Sequence, residues 1–234
     1  MRNIQSKKGP FAQQPHFTLT EIERICSSEL ERVNLMPSEP GAVRIERFVE
    51  KRFGISPSYQ DLPEGVLGYT EFNLCGVATI VLSTSLDQPG GSKHVERRLR
   101  TTLAHEAGHG LLHAHLFALG ERPASLFGDN SHEPAILCRD IVGGHETVKK
   151  YDGRWWEYQA NHAMAGLLMP RKLVLSAVTS FLSPAGTLGT PVLQDDRRSP
   201  AIRSLAEIFD VNPVVARYRL QEIFPSSQAQ TPTL

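Results

Sequence analysis

The string His105-Glu106-Ala107-Gly108-His109 constrains this chain more than any other stretch, because an HExxH pattern makes chemical sense only on a helix. In an α-helix, positions i and i+4 lie about 40° apart around the axis and one turn apart along it. Two imidazoles so placed can reach one metal ion. The glutamate between them faces slightly aside, where it can accept a proton from an attacking water without ligating the ion. His105 and His109 are therefore candidate metal ligands, and Glu106 is the candidate general base. The bland alternative is a solvent-facing helix whose histidines are incidental.

The flanking residues favour a helix. Leu99, Leu103, Ala107 and Leu111 recur every four residues, and no proline follows until Pro123. On a helical wheel His105 and His109 fall roughly opposite that stripe, so they are expected to look away from the core this helix packs on.

A tetrahedral catalytic site takes three protein ligands, so one more is required. His115 stands where HExxHxxGxxH sequences place a third histidine, but the glycine that turns such chains back toward the metal is Leu112 here, and a continuing helix carries His115 off the metal face. His113 shares the face of His109 one turn further on, a position behind a ligand or on the surface. The competing candidate is Glu157, in WWEYQANHAMAGLLMP from Trp155 to Pro170. Trp156, Ala160, Ala163, Met164 and Leu167 mark the buried side of a helix that Pro170 stops. Glu157 and Asn161 are four apart on a neighbouring face. A carboxylate for the ion and, one turn on, an amide to orient a ligating histidine from behind would suit that spacing.

Three stretches together carry a family resemblance: RTTLAHEAGHGLLH from Arg100 to His113, WEYQANHAMAGLLMP from Trp156 to Pro170, and LAEIFDVNPVVARYRL from Leu205 to Leu220. In this order they resemble the ImmA/IrrE-type metallo-endopeptidases. The resemblance implies His105, His109 and Glu157 as zinc ligands and Glu106 as the base, with Mn²⁺ an alternative to Zn²⁺. Asn161 matches the Asn/Asp position of the second motif. The implied substrate is a cytoplasmic helix-turn-helix repressor, cleaved to switch on stress, phage or mobile-element genes. The expected architecture is α+β and zincin-like: mainly helical, with a small three-stranded sheet before the HExxH helix and a C-terminal helical pair.

The remaining pattern agrees. Thr18 and Glu21 have capping-box spacing before a helix to about Val33, and a second helix from Gly41 to Phe53 turns Val43, Phe48, Val49 and Phe53 inward before Gly54 ends it. Residues Ser56 to Asp61, Val66 to Phe72 and Val77 to Ser83 read as short strands, one of which could hold an extended peptide along a sheet edge. After Pro170 a helix runs to near Leu182. Two amphipathic helices follow, the second opened by Asn212 and Pro213 as N-cap and first helical residue. The expected organisation is a disordered tail over 1–17, a peptidase domain over 18–182 with an insertion at 116–154, a linker over 183–200, the helical pair over 201–224, and a tail over 225–234.

Two segments leave alternatives open. The insertion contains His132, Cys138 and His145 and one apolar patch, Ala135-Ile136-Leu137. It is either a surface excursion or a flap over the metal that Cys138 or a histidine could gate. The C-terminal pair is helix-turn-helix-like, and Arg217 and Arg219 could then meet phosphates; otherwise the pair packs on the peptidase body or binds a protein. Tyr158 and His162 are candidates to stabilise an oxyanion.

With 25 basic and 25 acidic residues, no global field would recruit nucleic acid or an anionic membrane. Cys26, Cys75 and Cys138 are odd in number and far apart, as reduced thiols of a cytosol are. The polar start of the chain and the lack of any run of 18 apolar residues point away from export and from a membrane span. Two other function classes compete with the endopeptidase: a DNA- or protein-binding regulator in which the metal is structural, and a retired protease that uses its groove for binding.

Overall fold

A computed structural model of the chain describes residues 2–5, 13–87, 90–118, 135–139, 154–184 and 191–225, with side chains described over 15–87, 90–116, 154–183 and 191–225. Strands β1 (Arg2–Gln5) and β2 (Gln13–His16) pair antiparallel. The segment 1–17, expected to lack order, thus contributes a strand pair that leads directly into the first helix.

Helix α1 (Leu19–Arg32) starts on the expected capping box: the Thr18 hydroxyl oxygen accepts from the Glu21 N–H, and the Glu21 carboxylate accepts from the Thr18 N–H. Its buried face carries Ile22, Cys26 and Leu30, spaced by four. Helix α2 (Ile45–Phe53) buries Ile45, Phe48 and Val49 and ends at Gly54, whose φ of 73° is a left-handed conformation that glycine adopts without strain.

Strands β3 (Ser58–Gln60), β4 (Val66–Asn73) and β5 (Gly76–Ser83) form the expected small mixed sheet, with β3 parallel and β4 antiparallel to β5. Helix α3 (Lys93–Leu112), which carries HEAGH, crosses this sheet, and the short helix α4 (Ala114–Ala118) follows it. A fourth strand, β6 (Ala135–Arg139), pairs antiparallel with the free edge of β4, giving the order β3-β5-β4-β6. This strand contains the apolar patch of the insertion. Nothing in a local pattern revealed that it would extend the sheet.

Helix α5 (Trp155–Leu168) packs along α3 and α1, and Pro170 separates it from α6 (Arg171–Ala177). The stretch expected as a linker over 183–200 is shorter than that. Strands β7 (Leu182–Pro184) and β8 (Pro191–Leu193) pair within it, and helix α7 (Asp195–Ile208) begins before Pro200. Pro200 sits at the sixth residue of α7, beyond the first turn where proline is best tolerated.

Helix α8 (Pro213–Ile223) closes the described chain. Its Leu220, with Leu205 of α7 and Phe209 at the end of that helix, joins the core that holds Ile22, Phe48, Leu103 and Met164. The helical pair is therefore packed on the body. Charged contacts reinforce this. Arg97 of α3 donates to Asp210 and Glu207, and Arg100 donates to Asp210 at 2.6 Å.

Arg219 closes one of the alternatives left open for the helical pair. Its guanidinium is fully buried, donates to the Met169 carbonyl at 2.9 Å and to Glu222 at 3.1 Å, and is ion-paired with Glu23. An arginine spent on α1, α5 and its own helix cannot meet a phosphate. Arg217 is exposed.

Candidate metal centre

Helix α3 is buried on all sides from Thr101 to Gly110. His105 and His109 were expected to look away from the core, and both are instead almost wholly covered. The physical reason is that the helix runs between two layers, the sheet on one side and α5 on the other, so each face has a neighbour. The wheel correctly separates the histidines from the leucine stripe, but the second face looks onto another helix and not onto water.

That second helix comes unusually close. A Cβ placed on Gly108 would lie 3.0 Å from the Ala160 carbonyl oxygen and 3.0 Å from the Ala163 Cβ. Glycine and two alanines are what allow α3 and α5 to meet here. Glu157, at the start of α5, consequently reaches the histidines.

Nitrogen Nε2 of His105 is 3.1 Å from Nε2 of His109 and 3.1 Å from Oε2 of Glu157, and the second Glu157 oxygen lies 3.7 Å from His109 Nε2. One donor atom from each residue falls within 4.8 Å of the others. Two ring nitrogens that both offer lone pairs repel at 3.1 Å unless a proton or a cation lies between them. Tetrahedral zinc with bonds of about 2.0–2.1 Å separates its ligand atoms by about 3.3 Å, close to what is seen. The donor set, two imidazoles and one carboxylate, fits Zn²⁺ and also accepts Mn²⁺. His115, the rival third ligand, is outside this cluster, because α3 ends at Leu112 and a new helix carries it elsewhere.

The charges in the site are mutually dependent. Burial works against a charge on Glu157, but the neighbouring His105 and His109 rings outweigh it and hold the carboxyl below its usual range. Burial also disfavours the charged form of His105, yet the Glu157 hydrogen bond and charge, with Glu106 behind them, raise its pKa overall. On His109 burial prevails and the pKa falls. A carboxylate held ionised beside two imidazoles is suited to a cation.

The other nitrogen of each ligand is occupied. His105 Nδ1 is 3.1 Å from the Asn161 amide oxygen, which holds the ring with Nε2 turned into the cluster. His109 Nδ1 is 3.0 Å from Nδ1 of His113, a fully buried residue capping α3. Glu106 is fully buried too, and Thr70 of β4 donates its hydroxyl to Glu106 Oε2 at 2.6 Å.

Sequence reasoning did not single out Thr70 or Gln159, since contacts across 36 and 46 residues leave no periodic trace. It treated His113 as a residue behind a ligand or at the surface. The first of these is where it stands.

Tyr158 and His162 lie together, ring centroids 4.3 Å apart, and His162 is 3.2 Å from Glu222 and 3.1 Å from the Tyr218 hydroxyl. Cys138 occupies β6 opposite Gly68 of β4, with its side chain outside the described residues, as His132 and His145 are entirely.

Two histidines one helical turn apart, a glutamate between them and a carboxylate from a second helix define the class: this is the catalytic-type zinc triad of a metallopeptidase. Neither the known protein-family models nor the curated proteins yield a match to the chain. Among the described residues, no helix is long and apolar enough to cross a membrane.

Proposed function

We propose that the protein is a zinc-dependent endopeptidase of the ImmA/IrrE type, in which His105, His109 and Glu157 hold the ion and Glu106 moves the proton. The observation that carries this reading is the convergence of one donor atom from each of the three residues within 4.8 Å. When bound, the cation supplies Lewis acidity, which makes water a usable nucleophile near neutral pH and polarises a peptide carbonyl. Glu106 accepts the water's proton and delivers it to the leaving amine. The Thr70 hydroxyl keeps that carboxylate in one orientation, and Asn161 keeps His105 in one tautomer. The substrate we favour is a cytoplasmic helix-turn-helix repressor whose cleavage relieves repression, placing the enzyme in the same compartment.

Glu106→Gln tests the reading. The variant should retain stoichiometric zinc and the wild-type unfolding profile while losing cleavage of a repressor encoded beside its own gene, followed by the mass of the fragments. Retained cleavage would remove Glu106 from its role. No cleavage by the wild type, with a metal-dependent change in repressor binding, would favour the regulator in which the metal is structural.

A further inference from the structure

Behind His109, away from the cluster, the structure contains an ordered chain of polar groups that ends on the main chain of the N-terminal strand pair. Its far end is the carbonyl of Pro15, in β2, which can only accept. The Gln159 amide nitrogen donates to it at 2.8 Å. This fixes which way the amide points, so the Gln159 oxygen faces His113 Nε2 at 3.1 Å and that nitrogen must bear the hydrogen.

The His113 ring is fully buried, stands edge-on to Trp155 with centroids 5.5 Å apart, and among the described residues has Gln159 and His109 as its hydrogen-bond partners. Neither brings a negative charge, so the ring is neutral and its Nδ1 carries a lone pair. The 3.0 Å contact between the two Nδ1 atoms then requires the hydrogen to sit on His109. A neutral His109 protonated at Nδ1 presents the lone pair of Nε2, the atom that lies in the cluster with His105 and Glu157.

We infer that Pro15, Gln159 and His113 form a backbone-anchored relay that selects the metal-binding tautomer of His109 and so ties the N-terminal strand pair to the metal centre. Gln159 and His113 are positioning residues: neither touches the ion, and both act through His109. The inference rests on the reading of the cluster as a metal site. It goes beyond that reading because it makes a main-chain carbonyl 90 residues before the motif part of the ligand's orientation. The two imidazoles of the cluster are thereby oriented by unlike means, His105 by one amide and His109 by a second histidine and an anchored glutamine. Loss of such outer partners lowers metal affinity by about ten- to a hundredfold.

The test uses Gln159→Met and Gln159→Glu in the full chain. Both are close in size to glutamine and both lose the donor to the Pro15 carbonyl. Methionine also removes the acceptor for His113 Nε2, and glutamate replaces it with a charge that favours a doubly protonated His113, whose Nδ1 would donate to His109 and leave the hydrogen of that ring on Nε2. Zn²⁺ affinity is read by competition with a chelating indicator, and the metal-free unfolding midpoint is read alongside. Both variants are expected to weaken Zn²⁺ binding about ten- to a hundredfold with the metal-free midpoint little changed. Wild-type affinity in either variant overturns the relay and leaves the metal site standing. A metal-free midpoint that falls in step with the affinity overturns it in favour of packing. Absence of zinc binding by the wild type overturns the site reading itself. Independently of any variant, nitrogen NMR of the wild type should show His113 protonated at Nε2 and His109 at Nδ1; the opposite tautomer of His113 sinks the relay.

Discussion

Thr70, on strand β4, donates its hydroxyl to the carboxylate of Glu106, on helix α3, across 2.6 Å in an environment that excludes solvent from both. The bond joins the sheet to the one acidic group of HEAGH and fixes the orientation of its carboxylate. A buried hydrogen bond to a charged acceptor contributes about 1.5–3 kcal/mol.

Thr70→Val removes that donor with little change of shape. Cleavage of the proposed repressor substrate should fall by about ten- to a hundredfold in kcat/KM, as a loss of that size implies, while bound zinc stays stoichiometric. Thr70→Ser should recover most of the activity. An unimpaired valine variant in steady-state kinetics would show that the hydroxyl does not position Glu106.

Gly108→Ala sets two effects against each other. Alanine favours a helix interior by about 1 kcal/mol over glycine, but the added methyl would stand 3.0 Å from the Ala160 carbonyl oxygen and from the Ala163 methyl. The contact is to backbone, which cannot rotate away. The helices should move apart and Glu157 should recede from the histidines, giving weaker zinc binding and no gain in thermal stability. A variant that is both more stable and equally tight for zinc would contradict this packing argument.

Removing the metal from the wild type should lower its unfolding temperature, because a ligand bound only by the folded state stabilises by about 2.7 kcal/mol at a hundred times its dissociation constant. In Glu157→Gln the cluster loses its carboxylate charge. Scanning calorimetry with and without chelator should then show a large difference for wild type and little or none for the variant. A full zinc-dependent shift in Glu157→Gln would exclude Glu157 as a ligand.

Acid stability depends on a second carboxylate. Burial tends to raise the pKa of Glu222, but the hydrogen bond from His162 and the Arg219 guanidinium outweigh it and hold it below 4.5. A carboxyl with a depressed folded pKa contributes stability above its unfolded value and loses it as the pH falls through the folded one. Wild-type stability should therefore drop as the pH goes below about 4.5, an ordinary unfolded carboxyl value, and Glu222→Gln should flatten that part of the curve. Urea midpoints between pH 6 and pH 3 provide the comparison; parallel curves for the two proteins would refute the assignment.

Arg219→Met would strand Glu23 and Glu222 in a buried setting without their cation. Breaking a buried pair from one side costs about 3–5 kcal/mol. The same replacement combined with Glu23→Gln and Glu222→Gln should restore part of the loss, as measured by urea unfolding. A single variant as stable as the wild type would mean that the cluster does not fasten α8 to α1.

What could be read in advance was local or periodic. The capping box at Thr18 and Glu21, the stop at Pro170, Gly54 as a helix end and the i, i+4 spacing of His105 and His109 each involve residues within a turn or two of one another, where backbone geometry alone dictates the outcome. The face shared by Glu157 and Asn161 was legible for the same reason, and both residues meet His105. The relations that complete the site connect elements remote in the chain: Thr70 to Glu106, Pro15 through Gln159 to His113, β6 to β4, and Arg219 to Glu23. They depend on which layers pack together and how closely. A helical wheel reports which residues share a face, but not whether that face meets water or another helix, so the burial of His105 and His109 had to await the packing of α5 against α3.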